Sequence, residues 1–331
     1  MAAAPGGPSA ALTFDPKVPV KQRQATEELL GFNDPLPVQY LRWLLGEKPI
    51  EIAGVTLWKG REVPIFDRSW NLVGTEQGTS GGIIRLDFGR SLFYKRPVSD
   101  MLKERAAPTV QLGFAALVMG FALGVPIGIV SAVRRGGVFD NISRVLAVVF
   151  NAVPVFWLGL MLILVFGKWL AILPMGNQCP VTIRGCTSLT DRFNHLVLPV
   201  FALGTGWIAV LSRYMRTSTL DVLNQDYVRT AQAKGLPDRQ VWFVHATRNA
   251  LIPIATILGP AIPSLLSGAV ITETIFSWPG LGRLSYESVI QQDYPMVMAV
   301  VILSGVITIL GYLLSDILYA LIDPRIRLEG A

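Results

Sequence analysis

The chain has 331 residues, of which 51% are hydrophobic and 16% charged, and its mean hydropathy is +0.47. Average soluble domains carry about 25% charged residues, so this composition excludes an ordinary water-soluble enzyme and indicates a membrane protein. The net charge of +6 calls for no nucleic-acid partner, because the basic residues gather in the connections between apolar runs, as membrane topology alone requires.

Residues 1–105 form a mixed-charge region without a long apolar run. A short helix over 21–30 is expected to stop at Gly31. A second should open with Asp34-Pro35 as cap and first turn and end at Gly46. From Ile50 to Phe66 the residues alternate and are rich in β-formers, with VTLW and REVPIF on either side of Lys59-Gly60, which predicts a small hairpin insert at 50–66. Gly78 to Gly82 reads as a flexible turn.

Five charge-free windows follow, between Arg105 and Arg134, Arg144 and Lys168, Arg192 and Arg213, Arg248 and Glu273, and Asp293 and Asp316. Each is long enough for the roughly 18 to 20 helical residues that cross about 30 Å of hydrocarbon. Five core helices of that length would be abnormal in a soluble protein of this size. The expected fold class is therefore an all-α polytopic membrane protein with five transmembrane helices, at about 107–133, 143–170, 195–215, 250–273 and 296–322, behind a small N-terminal α/β region.

Charge asymmetry orients these spans. The connections at 134–144 and 216–249 and the tail at 323–331 hold most of the interhelical arginines and lysines, which makes them cytoplasmic and puts the N-terminal region outside. Gly120, Gly124 and Gly128 recur at spacing four in the first span, a pattern that lets helices approach closely. Pro126, Pro154, Pro199, Pro253, Pro260 and Pro263 are expected to interrupt the spans, as in a protein that opens and closes. The outer connection 174–192 carries the only two cysteines, Cys179 and Cys186, which are either a loop-pinning disulfide or two free thiols. Glu273 and Asp316 lie at the edges of the last two spans, where an acid either serves a pathway or reaches the interface. The segment 276–295, with Trp278-Pro279-Gly280, is too short to span and reads as a gate or a contact for an outer protein.

The most informative stretch is the basic cytoplasmic segment YVRTAQAKGLPDRQVWFVHATRNALIP (227–253). Gly235 can end a helix in the left-handed conformation, Pro237 stops its continuation, and Asp238 can cap the next helix. No GxxxxGK[ST] run exists to cradle a nucleotide. The only histidines, His195 and His245, have no cysteine beside them, so no metal site is implied, and no nucleophile–base constellation marks a catalytic residue.

This segment resembles the EAA loop of permease subunits in ABC-type importers, and YVRTAQAKGL with RNALIP resembles the peptide and nickel branch. In the general pattern an acid and two alanines precede the glycine by the same spacing; here Arg229, Thr230 and Ala231 stand before Gly235, without the acid. ETIFSWPGLGRL (273–284) and DPRIR (323–327) resemble that branch too. So does LDFGRS (86–91), although glycine usually stands where this chain has Leu86. The resemblance implies an inner-membrane permease for peptides delivered by an extracytoplasmic binding protein, with nickel or glutathione as alternative cargo. It implies a second homologous permease subunit and two ATP-binding subunits that carry ATP and Mg, so this chain needs no cofactor of its own. Tyr227, Arg229, Ala231, Ala233, Lys234, Gly235 and Leu236 would couple to those ATPases. Family members begin with a further helix, and Ala4-Pro5-Gly6-Gly7-Pro8 resembles the turn after it, so the family's first helix is expected to be missing here. A secondary transporter is the alternative of another class, but internal repeats and midplane charges are not visible.

Overall fold

Glycine and proline positions set most element ends in the computed structural model, which describes residues 19–31, 34–52, 55–67, 69–179, 188–251, 253–254, 261 and 270–322. The chain divides into two compact units, Met1–Lys103 with Glu287–Val301 and Glu104–Tyr286 with Ile302–Ala331.

In the first unit, α1 (Val20–Leu30) stops at Gly31, whose φ of +65° suits a residue without a Cβ. Helix α2 (Leu36–Leu45) departs from the expected capping. Pro35 is the N-cap residue, and the Asp34 carboxylate instead takes Nη1 of Arg42 at 2.6 Å. A charged donor on the next turns outcompetes the local amides for a carboxylate.

The single hairpin expected at 50–66 is two separate antiparallel hairpins, β1 (Ile50–Ile52) with β2 (Val55–Trp58), and β3 (Glu62–Phe66) with β4 (Leu72–Gln77). Lys59-Gly60 joins the hairpins and is not a turn within one. Its geometry is fixed from outside, because Arg61 donates its amide to the Glu47 carbonyl at 2.9 Å and Trp58 Nε1 donates to the Gly46 carbonyl at 2.8 Å. The Gly78–Gly82 stretch is likewise pinned. Gly81 donates to Asp87 Oδ2 at 2.7 Å, and Gly82, at φ +70°, lies against the Gly46 backbone where a Cβ would collide. Far along the chain, the buried Asp293 accepts the Ser91 hydroxyl and the Leu92 amide at 3.1 Å, which ties 287–301 into this unit.

Among the described residues three helices are long and apolar enough to cross a membrane, α3 (Val98–Val133), α6 (Leu189–Leu223) and the Tyr294–Ile317 part of α12 (Tyr294–Ile322). A fourth candidate is a pair bent by 99°, α4 (Val138–Ala152) followed by α5 (Val155–Leu162), which continues as a π-helix over Ile163–Trp169. The expected straight span at 143–170 is thus a bent pair that begins at Val138. Pro154 forces its predecessor out of the helical region, and Val153 lies at φ −73°, ψ 122°. Pro126 and Pro199, by contrast, sit inside continuous helices. The expected span at 250–273 falls largely outside the described residues. So do Pro260, Pro263 and the tail from 323.

In the second unit the glycine stripe on α3 faces α6. A Cβ added at Gly120 would strike Trp207, one at Gly124 would crowd Ile208 and Leu211, and one at Gly128 would strike Met215 and the Ser212 carbonyl. Small residues there let the two backbones meet, as membrane helices do where apolar burial offers no driving force. Ile129, Leu211, Met215, Ala250 and Ile254 are fully buried beside this contact.

Candidate functional site

The cytoplasmically assigned loop folds as a small structure with its own core. Helix α6 extends to Leu223, so the loop starts eight residues later than the expected 216 and its first turns continue the helix. After Asn224 and Gln225 comes α7 (Asp226–Ala233), then a turn, α8 (Asp238–Gln240), a π-helix over Val241–Ala246 and α9 (Thr247–Ala250).

The turn is a complete Schellman closure. Lys234 is the C-cap, Gly235 has φ +75°, the Gly235 amide returns to the Gln232 carbonyl at 2.9 Å, and the Leu236 amide reaches the Ala231 carbonyl at 3.4 Å. Leu236 completes the motif by packing on the Val228, Ala231 and Val241 cluster, with Val222, Leu223 and Trp242 around it. Pro237, not Asp238, is the N-cap of α8.

Packing divides the seven residues singled out in this loop into two groups. Ala231 is only 8% exposed and Leu236 is half-buried, so both support the loop from beneath. Tyr227, Arg229, Ala233, Lys234 and Gly235 are exposed. Arg229 is held only weakly by Asp226, at 3.8 Å and with both side chains solvated. No atom lies within 4 Å of a Cβ built on Gly235, so this corner is open. Asn249 Nδ2 donates to the Tyr227 hydroxyl at 2.7 Å, and the Ser218 hydroxyl of α6 donates to the Ala250 carbonyl at 2.8 Å. The returning limb of the loop is therefore fastened to the α6 helix from which the loop departs.

Two residues before Ser218 lies a site that sequence reading missed. The fully buried Asp140 of α4 takes Arg216 of α6 in a two-pronged contact, Nε to Oδ1 at 2.6 Å and Nη2 to Oδ2 at 2.8 Å. The Ser131 hydroxyl at 2.6 Å and the Gly136 amide at 2.9 Å complete the carboxylate's shell. One residue thus joins the end of α3, the α3–α4 turn, α4 and the last turns of α6. A single acid amid Arg134, Arg135, Arg144, Arg213 and Arg216 was the available signal, but net charge alone does not say which arginine it holds.

Glu273 and Trp278, candidates for a gate, organise one buried corner. Glu273 lies in α10 (Val270–Ile275), and its Oε1 accepts the Thr109 hydroxyl at 2.9 Å. Its Oε2 accepts the Arg283 amide at 2.9 Å in the first turn of α11 (Leu281–Ile290). The carboxylate is thus the N-terminal partner of α11, where orphan amides and the helix dipole favour an anion. Gly280 stands where any Cβ would meet that carboxylate. Trp278 is fully buried and donates Nε1 to the Pro108 carbonyl at 2.9 Å. Asp316 is elsewhere, exposed on α12.

The start of the 174–192 connection is clamped to the same corner. The Asn177 amide donates to the Phe276 carbonyl at 2.7 Å. His195 Nδ1 lies 2.8 Å from the Gly176 carbonyl and 3.1 Å from that of Asn177, so it carries the proton. Cys179 is disulfide-bonded; Cys186 lies outside the described residues. No cluster of metal-ligating side chains occurs among the described residues. The first unit contains a cavity of about 440 Å³ lined by residues that include Arg42, Trp43, Asp87, Arg90 and Lys95.

Comparison with known proteins agrees with this architecture. Residues 124–328 match the family described as binding-protein-dependent transport system inner membrane component. The oligopeptide transport system permease protein AppB of Bacillus subtilis (strain 168) is 38% identical over 99% of this chain and 92% of its own length. The dipeptide transport system permease protein DppB of Escherichia coli (strain K12) is 38% identical over 74% of this chain and 78% of its own. The glutathione transport system permease protein GsiC of Escherichia coli O1:K1 / APEC is 37% identical over 81% of each. Among solved structures, an inward-facing conformation of the MetNI methionine ABC transporter superposes with a TM-score of 0.54 at 16% identity, covering 67% of this chain and 96% of that one. At that identity the likeness concerns the fold alone.

Proposed function

The chain belongs to the binding-protein-dependent transport system inner membrane components, and on that premise we propose that it is the permease subunit of an ATP-driven peptide importer. The peptide assignment rests on the oligopeptide and dipeptide permease relatives, each 38% identical to this chain. Glutathione, itself a short peptide, is the second reading, favoured by the glutathione permease relative at 37%. Secondary transport is set aside by the family.

The observation that carries the mechanism is the hydrogen-bonded, open corner at Lys234-Gly235, whose Schellman turn presents backbone and small side chains on a loop fastened back to α6. In our reading an ATPase subunit seats on Arg229, Ala233, Lys234 and Gly235, while Ala231 and Leu236 hold that surface in shape. Closure of the ATPase pair moves the loop, and because Ser218 and Arg216 fix α6 to the loop and to α4, the movement reaches the spans. A second permease chain completes the pathway, the N-terminal unit faces the outer binding protein, and ATP with Mg is bound by the ATPases.

The test uses the assembled importer in proteoliposomes with its binding protein and labelled di-, tri- and oligopeptides. Ala233→Glu places an unpaired charge in the proposed contact, where desolvation costs several kcal/mol. Gly235→Val forces a β-branched residue to positive φ. Both variants should insert normally yet lose at least tenfold in peptide uptake and in peptide-stimulated ATP hydrolysis. Normal coupled transport by both would refute the docking assignment.

A further inference from the structure

An apolar groove in the second unit ends at two exposed arginines. Between α3, α4 and α6 lies an apolar cavity of about 150 Å³, walled by Ile127, Phe139, Ile142, Leu146, Phe150 and Ile208. On α4 the wall residues recur at three- and four-residue intervals, so they form one face of the helix. Ser143, Ala147, Ser212 and Ile127 also line an adjoining polar recess, together with Arg144, Arg213 and Arg216. The apolar cavity and the basic recess, itself only about 10 Å³, therefore share a wall.

The charges in this recess are unequally satisfied. Arg216 is consumed by Asp140. Arg144 and Arg213 are exposed, and Arg213 uses only Nε, on the Ala209 carbonyl at 3.1 Å. Among the described residues neither has an acidic partner. Arg134 and Arg135, also exposed, stand on the adjoining α3–α4 turn. Guanidinium groups are matched to phosphate oxygens by their planar array of donors. Serine hydroxyls at 143 and 212 add neutral donors at the same end. A basic pocket between transmembrane helices, open to an apolar groove, has the two-part chemistry of an anionic phospholipid.

We propose that this groove binds one anionic phospholipid, its phosphate between Arg144 and Arg213 and an acyl segment along Phe139, Ile142, Leu146 and Phe150. The occupant is a lipid and not a free phosphate ester because the apolar wall adjoins the exposed arginines. The position matters because Ser131, Arg216 and Ser143 border both the recess and the Asp140 cluster. A bound headgroup lies next to the joint between α4 and α6 and stabilises it, which makes transport responsive to anionic lipid. This last consequence rests on the coupling role proposed above; the binding itself does not.

Native mass spectrometry of the full-length protein in detergent, titrated with phosphatidylglycerol, cardiolipin, phosphatidylcholine and glycerol phosphate, reads the binding without any transport assay. Phosphatidylglycerol or cardiolipin should be retained at least fivefold more than phosphatidylcholine, and glycerol phosphate should not be retained. The double variant Arg144→Gln/Arg213→Gln should abolish the preference for anionic lipid. Ile142→Trp should lower retention of every lipid by filling the groove, and if that variant misfolds, the arginine pair still decides. Equal retention of phosphatidylcholine, retention of glycerol phosphate alone, or no effect of the arginine changes would overturn the proposal. So would efficient crosslinking of two chains through Ile142→Cys in native membranes, because a second permease chain would then cover the groove. If anionic lipid binds as stated but transport in liposomes is indifferent to it, the site stands and its link to coupling falls.

Discussion

Leu86 holds a backbone angle that an L-residue adopts only at a cost. It closes a one-turn 3₁₀ segment (Ile83–Arg85) at φ +57°, ψ 25°, in the conformation that costs an L-residue about 1–2 kcal/mol. Its side chain is 73% exposed, so little packing compensates. The glycine that the resemblance implies at this place would adopt the same angle without that cost. Leu86→Gly should raise the stability of the purified protein by up to about 1 kcal/mol, reduced by the larger entropy of glycine in the unfolded chain, and a thermal melt in detergent would read it. Asp140 makes the opposite case. Asp140→Asn leaves the Arg216 guanidinium facing a neutral amide in a buried site, a change that costs about 3–5 kcal/mol when a buried pair loses one member. The same melt should show a large drop for that variant and almost none for Arg229→Gln, whose ion pair is solvated.

Elements were legible where one physical signal dominated. Gly31 and Gly235 end helices as read, because positive φ at a helix end has few alternatives to glycine. The glycine stripe was visible as a period, but its partner was not; only the packed structure shows Trp207, Leu211 and Met215 opposite it. Gly124→Val should therefore overpack the α3–α6 contact and cost about 1–3 kcal/mol, whereas Gly305→Val, at a site with nothing within 4 Å of the added Cβ, should change the melting temperature little. Hydropathy could not show that α4 and α5 meet at 99°, since apolar windows have no direction and Pro154 reads the same as Pro126 or Pro199. Nor could alternation separate one hairpin from two, because the decisive bonds from Trp58 and Arg61 run to Gly46 and Glu47, outside the hairpins. In the loop over 226–250 the small-residue pattern located a helix-ending turn but not its sidedness. Ala231 and Ala233 are two residues apart, so a helix turns one toward the Val228–Val241 core and the other to solvent.

For the molecule as a whole, the basic residues provide the argument for orientation. Arg134, Arg135, Arg144, Arg213, Arg216, Arg229, Lys234, Arg239 and Arg248 flank the apolar runs at ends that alternate with those holding Arg184, Arg192 and Arg283. An excess of lysine and arginine marks the cytoplasmic side, whereas acidic residues contribute little. On this basis we propose that Lys234 faces the cytoplasm, where an ATPase can reach it, and the hairpins the outside, where a binding protein can. Exposed positions on each part allow a direct measurement, with Lys234→Cys in the loop and Glu76→Cys in β4. A membrane-impermeant maleimide applied to spheroplasts with intact inner membranes should label Glu76→Cys and spare Lys234→Cys, and inside-out vesicles should reverse the pattern. The unsubstituted chain, with Cys179 held in a disulfide, sets the background. Labelling of both positions from one side would break the alternation of spans on which the orientation rests. Labelling of Lys234→Cys alone in spheroplasts would invert the topology and remove the loop from any cytoplasmic ATPase, so the coupling proposal would fail with it.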